Sequence, residues 1–386
     1  MNLEQLYLQN KVSKLAGKYI RLEDIEPILK SLTTHGTLEI IGHSVFKKPI
    51  YQFKIGIGVK KIFIWSQMHG NESTTTKAVM DFIIFLHSNT PQSSTMLANF
   101  TFLFIPMLNP DGAMLYTREN ANKVDLNRDS IKQSQPESQI LRKTYIQFQP
   151  DYCYNMHDQR TIFGTEHYNL PATVSFLAPA FDEIRSINES RKKAMDVIIA
   201  MNTVLQDYIP NQIGRFDDTF NRNCVGDTFQ LLGTPTILIE PGYYQGDYYR
   251  EETRKFVFYA LISGFRHLNE NDIVDNKIDD YLNIPQNKVC FYDIVYKNIK
   301  IYYDNNEIIT NFAIQYKEEI IDNSLFFNAY IVEIGELQGY HGHFELDVHE
   351  LPFRDGLGII PKISQKADFY LGNDIEIVNG LIKNHL

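Results

Sequence analysis

Strand-length apolar runs that end on chemically active polar fragments constrain this chain more than any other feature. Five such fragments occur: His69-Gly-Asn-Glu72, Asn109-Pro-Asp-Gly112, Asp125-Leu-Asn-Arg128, Asn155-Met-His157 and Ile239-Glu240-Pro-Gly242. The runs 62–68, 100–108, 151–156 and 234–239 read as strands. Helical segments alternate with them: 74–87, where Ala78, Val79, Phe82 and Ile83 recur at helical spacing, then 130–147, 184–208 and 247–268. Strands alternating with helices predict an α/β fold with a largely parallel or mixed sheet and helices on both faces. All five fragments are then expected just past strand ends, where open α/β sheets place their sites.

A chain of 386 residues can bury a large core and is expected to form two domains. The first, 1–272, opens with two helices and a lead-in strand within 1–45 and carries all five fragments. Strands are expected over 37–65, with a turn at Lys47-Lys48-Pro49. The stretch 269–280 is polar and rich in Asn and Asp, like a linker. Beyond it, 275–386 is dense in β-branched and aromatic residues and reads as a small all-β domain. There His341, His343 and His349 alternate with Glu345 and Asp347, the pattern of a polar edge strand rather than a second metal site.

Charge narrows the partners. With 37 basic and 47 acidic residues the net charge is −10, which argues against nucleic acid and against an anionic membrane. No apolar run reaches membrane-spanning length, and the N-terminal residues show no signal-peptide core. Cys153, Cys224 and Cys290 are odd in number and far apart, as expected of reduced thiols in a cytoplasm. Nothing in the sequence fixes the oligomeric state.

The fragments point to metal-assisted hydrolysis. A catalytic zinc takes three protein ligands and leaves one position open. His69 and Glu72, three residues apart, and the later His157 supply that set, for one Zn2+ per chain. Water acidified by a metal still needs a carboxylate to carry its proton to the leaving group, and Glu240 at a strand end suits that role. Arg118 is the candidate for stabilising the oxyanion. Asn127 and Arg128 are candidates for clamping a substrate carboxylate. The Asn109-Pro-Asp-Gly112 turn is assigned a structural role.

Together the fragments resemble the zinc carboxypeptidase family, the carboxypeptidase A type of metallopeptidase, over roughly residues 55–270. That resemblance implies a mixed sheet of about eight strands flanked by helices and one catalytic zinc. It implies His69, Glu72 and His157 as ligands, Arg118 for the oxyanion, Asn127 and Arg128 for the terminal carboxylate, and Glu240 as general base. The expected activity is cleavage of an amide bond near a free C-terminal carboxylate, in a small peptide or an acylated amino acid. Two features depart from the pattern. The loop 214–224 lacks the substrate-covering Tyr common in the family, leaving Phe216, Phe220, Tyr243 and Tyr244 as candidates to close the site. His69-Gly-Asn-Glu72 and Asp125-Leu-Asn-Arg128 also resemble the aspartoacylase and succinylglutamate desuccinylase branch of the clan. The alternatives are therefore an amidase or deacylase, including one acting on cell-wall peptide fragments, and, in another class, a catalytically silent binding protein on the same scaffold.

Overall fold

The structure is a computed structural model, and it describes residues 2–270, 277–304, 306–356 and 358–383. The chain forms two units, Met1–Thr161 with Thr165–Asn287, and Ile162–Gly164 with Lys288–Leu386. The boundary expected at 272–275 lies outside the described residues. The helix Ile278–Leu282 belongs to the first unit, so the first unit extends to Asn287.

The first unit is built on an eight-stranded mixed sheet. Edge to edge its strands are Gly36–His43, Pro49–Ile55, Phe100–Ile105, Lys60–Ser66, Tyr152–Met156, Thr236–Pro241, Val174–Leu177 and Ile213–Arg215. The four from Phe100–Ile105 to Thr236–Pro241 run parallel. Successive strand residues point to opposite faces. Ile62 and Ile64 therefore enter one core with Phe100, Phe102, Phe104 and Tyr154. Phe63 and Trp65 enter the other core with Leu103, Ile105 and Cys153. Both faces are covered, which is why these strands read as continuous apolar runs without polar alternation.

The helices Thr74–His87, Glu189–Leu205 and Glu251–Glu270 contribute to the first core. Leu141, on the helix Pro136–Phe148, and Val225 and Phe229, on Val225–Leu231, enter the second. The helix Thr74–His87 matches its expected bounds. Others start later than expected; Glu251–Glu270, for example, begins only after Asp247 accepts from the Glu251 and Thr253 amides. Two sheet strands escaped the sequence reading, Val174–Leu177 and Ile213–Arg215. Each is too short to carry a period.

Two of the fragments differ from a simple strand-end placement. Asn109-Pro-Asp-Gly112 opens the short helix Pro110–Leu115: the Asn109 side chain accepts from the Gly112 amide at 2.9 Å and Pro110 takes a first-turn position. Asn and Pro serve helix starts as readily as turns. Asp125-Leu-Asn-Arg128 lies on a 3-10 turn at Leu126–Arg128 within a loop, not at a strand end. Gly70 packs against this architecture so closely that a Cβ there would stand 1.9 Å from the Gly112 carbonyl carbon.

The second unit is all-β. It contains two four-stranded sheets, one formed by Phe291–Tyr303, Asn306–Ile321, Ser324–Gly335 and His341–Asp347. Its separate core includes Ile294, Tyr296, Phe312, Ile331, Phe353 and Phe369. The strand His341–Asp347 is an edge strand, pairing in parallel with Phe291–Tyr303. His341 and His343 pack their rings near Phe291.

A buried ionic cluster ties the N-terminal segment to the first unit. Arg254 meets Asp81 through two bonds of 2.6 Å and also donates to the carbonyls of Leu15 and Val12. Asp81 accepts from the Val12 amide as well. Lys77 is fully buried and donates to Glu251 and to the Tyr249 carbonyl. Burial outweighs the neighbouring Glu251 charge and lowers the Lys77 ammonium to about 8. Removing one partner from such a cluster leaves an uncompensated charge. Arg254→Ala is expected to cost about 3–5 kcal/mol of stability. Replacing Arg254 and Asp81 together by Met and Leu is expected to cost less than Arg254→Ala, as read from urea unfolding midpoints.

Candidate metal centre

The parallel strands Lys60–Ser66, Tyr152–Met156 and Thr236–Pro241 end side by side, with Ser66 opposite Met156 and Met156 opposite Ile239. The residues that follow emerge along one edge of the sheet. The His157 amide donates to the Ile239 carbonyl at 2.9 Å, which sets His157 beside Glu240. The chain beyond Ser66 turns at Gln67 in the left-handed region, φ 49°. It then runs through His69 and Glu72 into the helix Thr74–His87.

That helix begins under a carboxylate from the neighbouring strand end. Asp158 accepts from the Thr74 amide at 2.7 Å and the Thr75 amide at 3.1 Å. The helix lacks a side-chain cap of its own, and an acidic group at a helix N-terminus is favourable. Because Asp158 follows His157, the same contact locks the two segments bearing His69, Glu72 and His157 together. Asn109 braces the first segment by donating to the Met68 carbonyl at 3.1 Å.

His69, Glu72 and His157 converge on one point. Their ligand atoms all lie within 4.8 Å of one another, and each residue is at most 2% exposed. Glu72 Oε1 lies 2.8 Å from His69 Nδ1, and Glu72 Oε2 lies 3.0 Å from His157 Nδ1. The two Nδ1 atoms face each other at 3.2 Å. Two imidazole nitrogens and a carboxylate aimed at one point form a donor set suited to zinc. Among the described residues this is the group that meets the geometry of a metal site.

Asp125, part of the Asp125-Leu-Asn-Arg128 fragment but given no role of its own by the sequence, joins the site. Its carboxylate reaches His69 Nε2 at 3.0 Å, leaving Nδ1 for the converging side. Asp125 also accepts from Arg118 Nε at 3.0 Å, while Arg118 Nη1 reaches Glu72 at 3.3 Å. Arg118 is therefore held at the rim between two carboxylates, its side chain 37% exposed. Burial raises the Asp125 pKa, but His69 and Arg118 outweigh it and hold the carboxyl well below its usual range. Glu72 is likewise held well below its range: burial opposes ionisation, and His69 and His157 overcome it.

Glu240 is in the opposite state. Burial, reinforced by the Glu72 charge, pushes its carboxyl up to about 8. The two carboxyl groups thus differ in charge, Glu72 firmly ionised and Glu240 more readily protonated.

Asn127 and Arg128 sit on the turn immediately after Asp125. The Asn127 side-chain oxygen accepts from the Val225 amide at 2.9 Å. Arg128 is exposed, donating to its neighbour Asn127's carbonyl at 2.8 Å and to Cys224 Sγ at 3.2 Å. Tyr243 is pinned, with the Arg250 guanidinium 3.9 Å from its ring centre, and Tyr244 packs near Phe256 against the core. Phe216 and Phe220 are half-buried.

Residues 28–188 match the model of the zinc carboxypeptidase family. Carboxypeptidase 2 of Trichophyton tonsurans is 28% identical over 100 residues, 25% of this chain and 19% of that protein. Carboxypeptidase SOL1 of Arabidopsis thaliana is 29% identical over 129 residues, 30% of this chain and 26% of that protein. The chain thus spans a fifth to a quarter of the length of these relatives. Its fold is similar to that of a metallo-carboxypeptidase from Burkholderia cenocepacia, with a TM-score of 0.54 at 17% identity over 64% of this chain and 69% of that one. It is also similar to the carboxypeptidase A of Helicoverpa armigera, with a TM-score of 0.52 at 15% identity over 70% and 80% of the two chains. Residues 28–188, which match the zinc carboxypeptidase model, lie, apart from 162–164, in the same unit as the eight-stranded sheet and the converging His69, Glu72 and His157.

Proposed function

We propose that this protein is a zinc-dependent carboxypeptidase that cleaves an amide bond next to a free C-terminal carboxylate in a small peptide. The observation that carries this reading is the convergence of His69, Glu72 and His157 beside a second, protonatable carboxyl, Glu240. His69 through Nδ1, Glu72 through its carboxylate and His157 through Nδ1 would hold one zinc. Bound there, the metal supplies a Lewis acid that polarises a carbonyl and acidifies water.

The chain's own groups do the rest. Glu240 takes the proton from the attacking water and delivers it to the departing nitrogen. Arg118, fixed by Asp125 and Glu72, turns its remaining donors toward the developing oxyanion. Arg128 pairs with the terminal carboxylate, and the Asn127 amide nitrogen donates to it, its oxygen being engaged by Val225. The three free thiols suit a reducing compartment such as the cytoplasm. No helix among the described residues is long and apolar enough to cross a membrane.

Elemental analysis of protein purified without added metal or chelator tests the site first. About one zinc per chain is expected in the wild type and almost none in His69→Ala. A wild type that refuses added zinc would leave a silent binding protein as the better reading. Glu240→Gln is expected to keep its zinc and lose roughly 100- to 10,000-fold in kcat, since the variant cannot carry the proton. Retained turnover would remove Glu240 from the mechanism. Peptides amidated at the C-terminus are expected to react at least about 100-fold more slowly than the free acids, because Arg128 is then left without an anion. Equal rates would favour the amidase or deacylase alternative.

A further inference from the structure

We infer that Arg250 is a positioning residue that sets the spacing between the His157 ligand and the Glu240 base; this rests on the hydrolase reading above. Arg250 is fully buried, yet among the described residues it joins no ion pair of the cluster around Arg254. Its guanidinium spans two neighbouring strand ends instead. Nη1 donates to the Pro241 carbonyl at 2.9 Å, and Nη2 donates to the Gln159 carbonyl at 2.9 Å. Pro241 directly follows Glu240, and Gln159 lies two residues after His157. One planar, rigid group therefore grips the backbone on both sides of the site.

Neighbouring bonds close the same unit. The Gln159 amide donates to the Pro241 carbonyl at 2.9 Å, so that oxygen accepts from Gln159 and Arg250 together. The Gln159 side chain donates to the Glu240 carbonyl at 2.9 Å and to Ser175 Oγ at 2.8 Å. The Gly242 amide donates to the Thr173 carbonyl at 2.7 Å. A Cβ at Gly242 would come within 2.4 Å of Gln159 Oε1, so the backbone is drawn in tightly. The Arg250 guanidinium carbon stands 3.9 Å from the Tyr243 ring centre, so the ring packs against the cation.

Without Arg250 the two carbonyls lose their shared cation, and the strand ends relax apart. The ligand atoms of His69, Glu72 and His157 are untouched, so metal uptake persists while the base drifts from the reacting carbonyl. A displacement near 1 Å costs about 100-fold in rate. Lysine cannot replace Arg250, because a single ammonium lacks the two-pronged geometry. Arg250 has φ 58°, a left-handed conformation that glycine adopts freely. Arg250→Gly therefore leaves the backbone at ease and opens space for a free guanidinium ion.

The test uses zinc-loaded, full-length Arg250→Gly and Arg250→Lys. Both are expected to keep the wild-type zinc content, to lose about 100-fold in kcat and to change KM by less than about twofold. Guanidinium ion at concentrations far below denaturing should restore turnover in Arg250→Gly and not in Arg250→Lys. A second readout is independent of activity. Hydrogen exchange at the Gln159 and Gly242 amides should accelerate in both variants, with the helix Glu189–Leu205 unchanged. Wild-type kcat in the variants, unchanged exchange at those amides, or loss of zinc in both would each overturn the inference. If the wild type itself cleaves no peptide, the hydrolase reading fails, and exchange alone then judges the bridge.

Discussion

The carboxylate of Glu72 is the charge around which the first unit's site is organised. It is 2% exposed, lies within 3.0 Å of a ring nitrogen of both His69 and His157, and accepts from Arg118 and the Asp158 amide. A buried, ionised carboxylate is tolerable only when its lone pairs are filled. That requirement brings three separate stretches of chain to one point. Asp158 repays the contact by capping the helix that begins just after Glu72. Ligand placement and helix initiation thus depend on the same pair of residues.

Charge is distributed unevenly among the acids of the site. Glu72 and Asp125 each face cationic or donor groups and stay ionised. Glu240, raised by burial and by the Glu72 charge, holds a proton more readily. Away from the site, the cluster of Lys77, Asp81, Glu251 and Arg254 fastens the segment at Val12–Leu15 to the helices behind the sheet. The Lys18–Ile20 stretch then reaches the site from that anchor, accepting from Ser73 through the Lys18 carbonyl and from Gln67 through the Ile20 carbonyl. The N-terminal segment is therefore part of the scaffold that supports the ligand loop.

Much of this was legible in the residues. The central strands announced themselves because both faces are covered, so every position is apolar. The helix Thr74–His87 did so through its period. His69, Glu72 and His157 stood out by residue type and by their place beyond apolar runs, and the structure brings them together with Glu240 and Arg118. Asp125 was visible but had no assigned role, and Asp158, directly after His157, read equally as a residue orienting a ligand and as a solvated turn residue, because a lone acidic residue carries no sign of which imidazole or amide it will meet. Arg250 and Gln159 gave no signal at all. Their function lies in carbonyl groups of distant residues, and a carbonyl is the same in every amino acid.

The sequence by itself determined the α/β class of the first unit, the β character of the second, and the chemical inventory of the site, because hydrophobic period and residue type are local properties. Only the tertiary structure decided that the first unit continues to Asn287, that Asp125-Leu-Asn-Arg128 sits on a loop turn, and that Arg250 joins two strand ends. Those features follow from strand register and from the pairing of buried polar groups across distances of up to hundreds of residues along the chain. Such pairings are selected by the cost of leaving a buried charge or backbone group unsatisfied, and that cost exists only once the chain has closed around them.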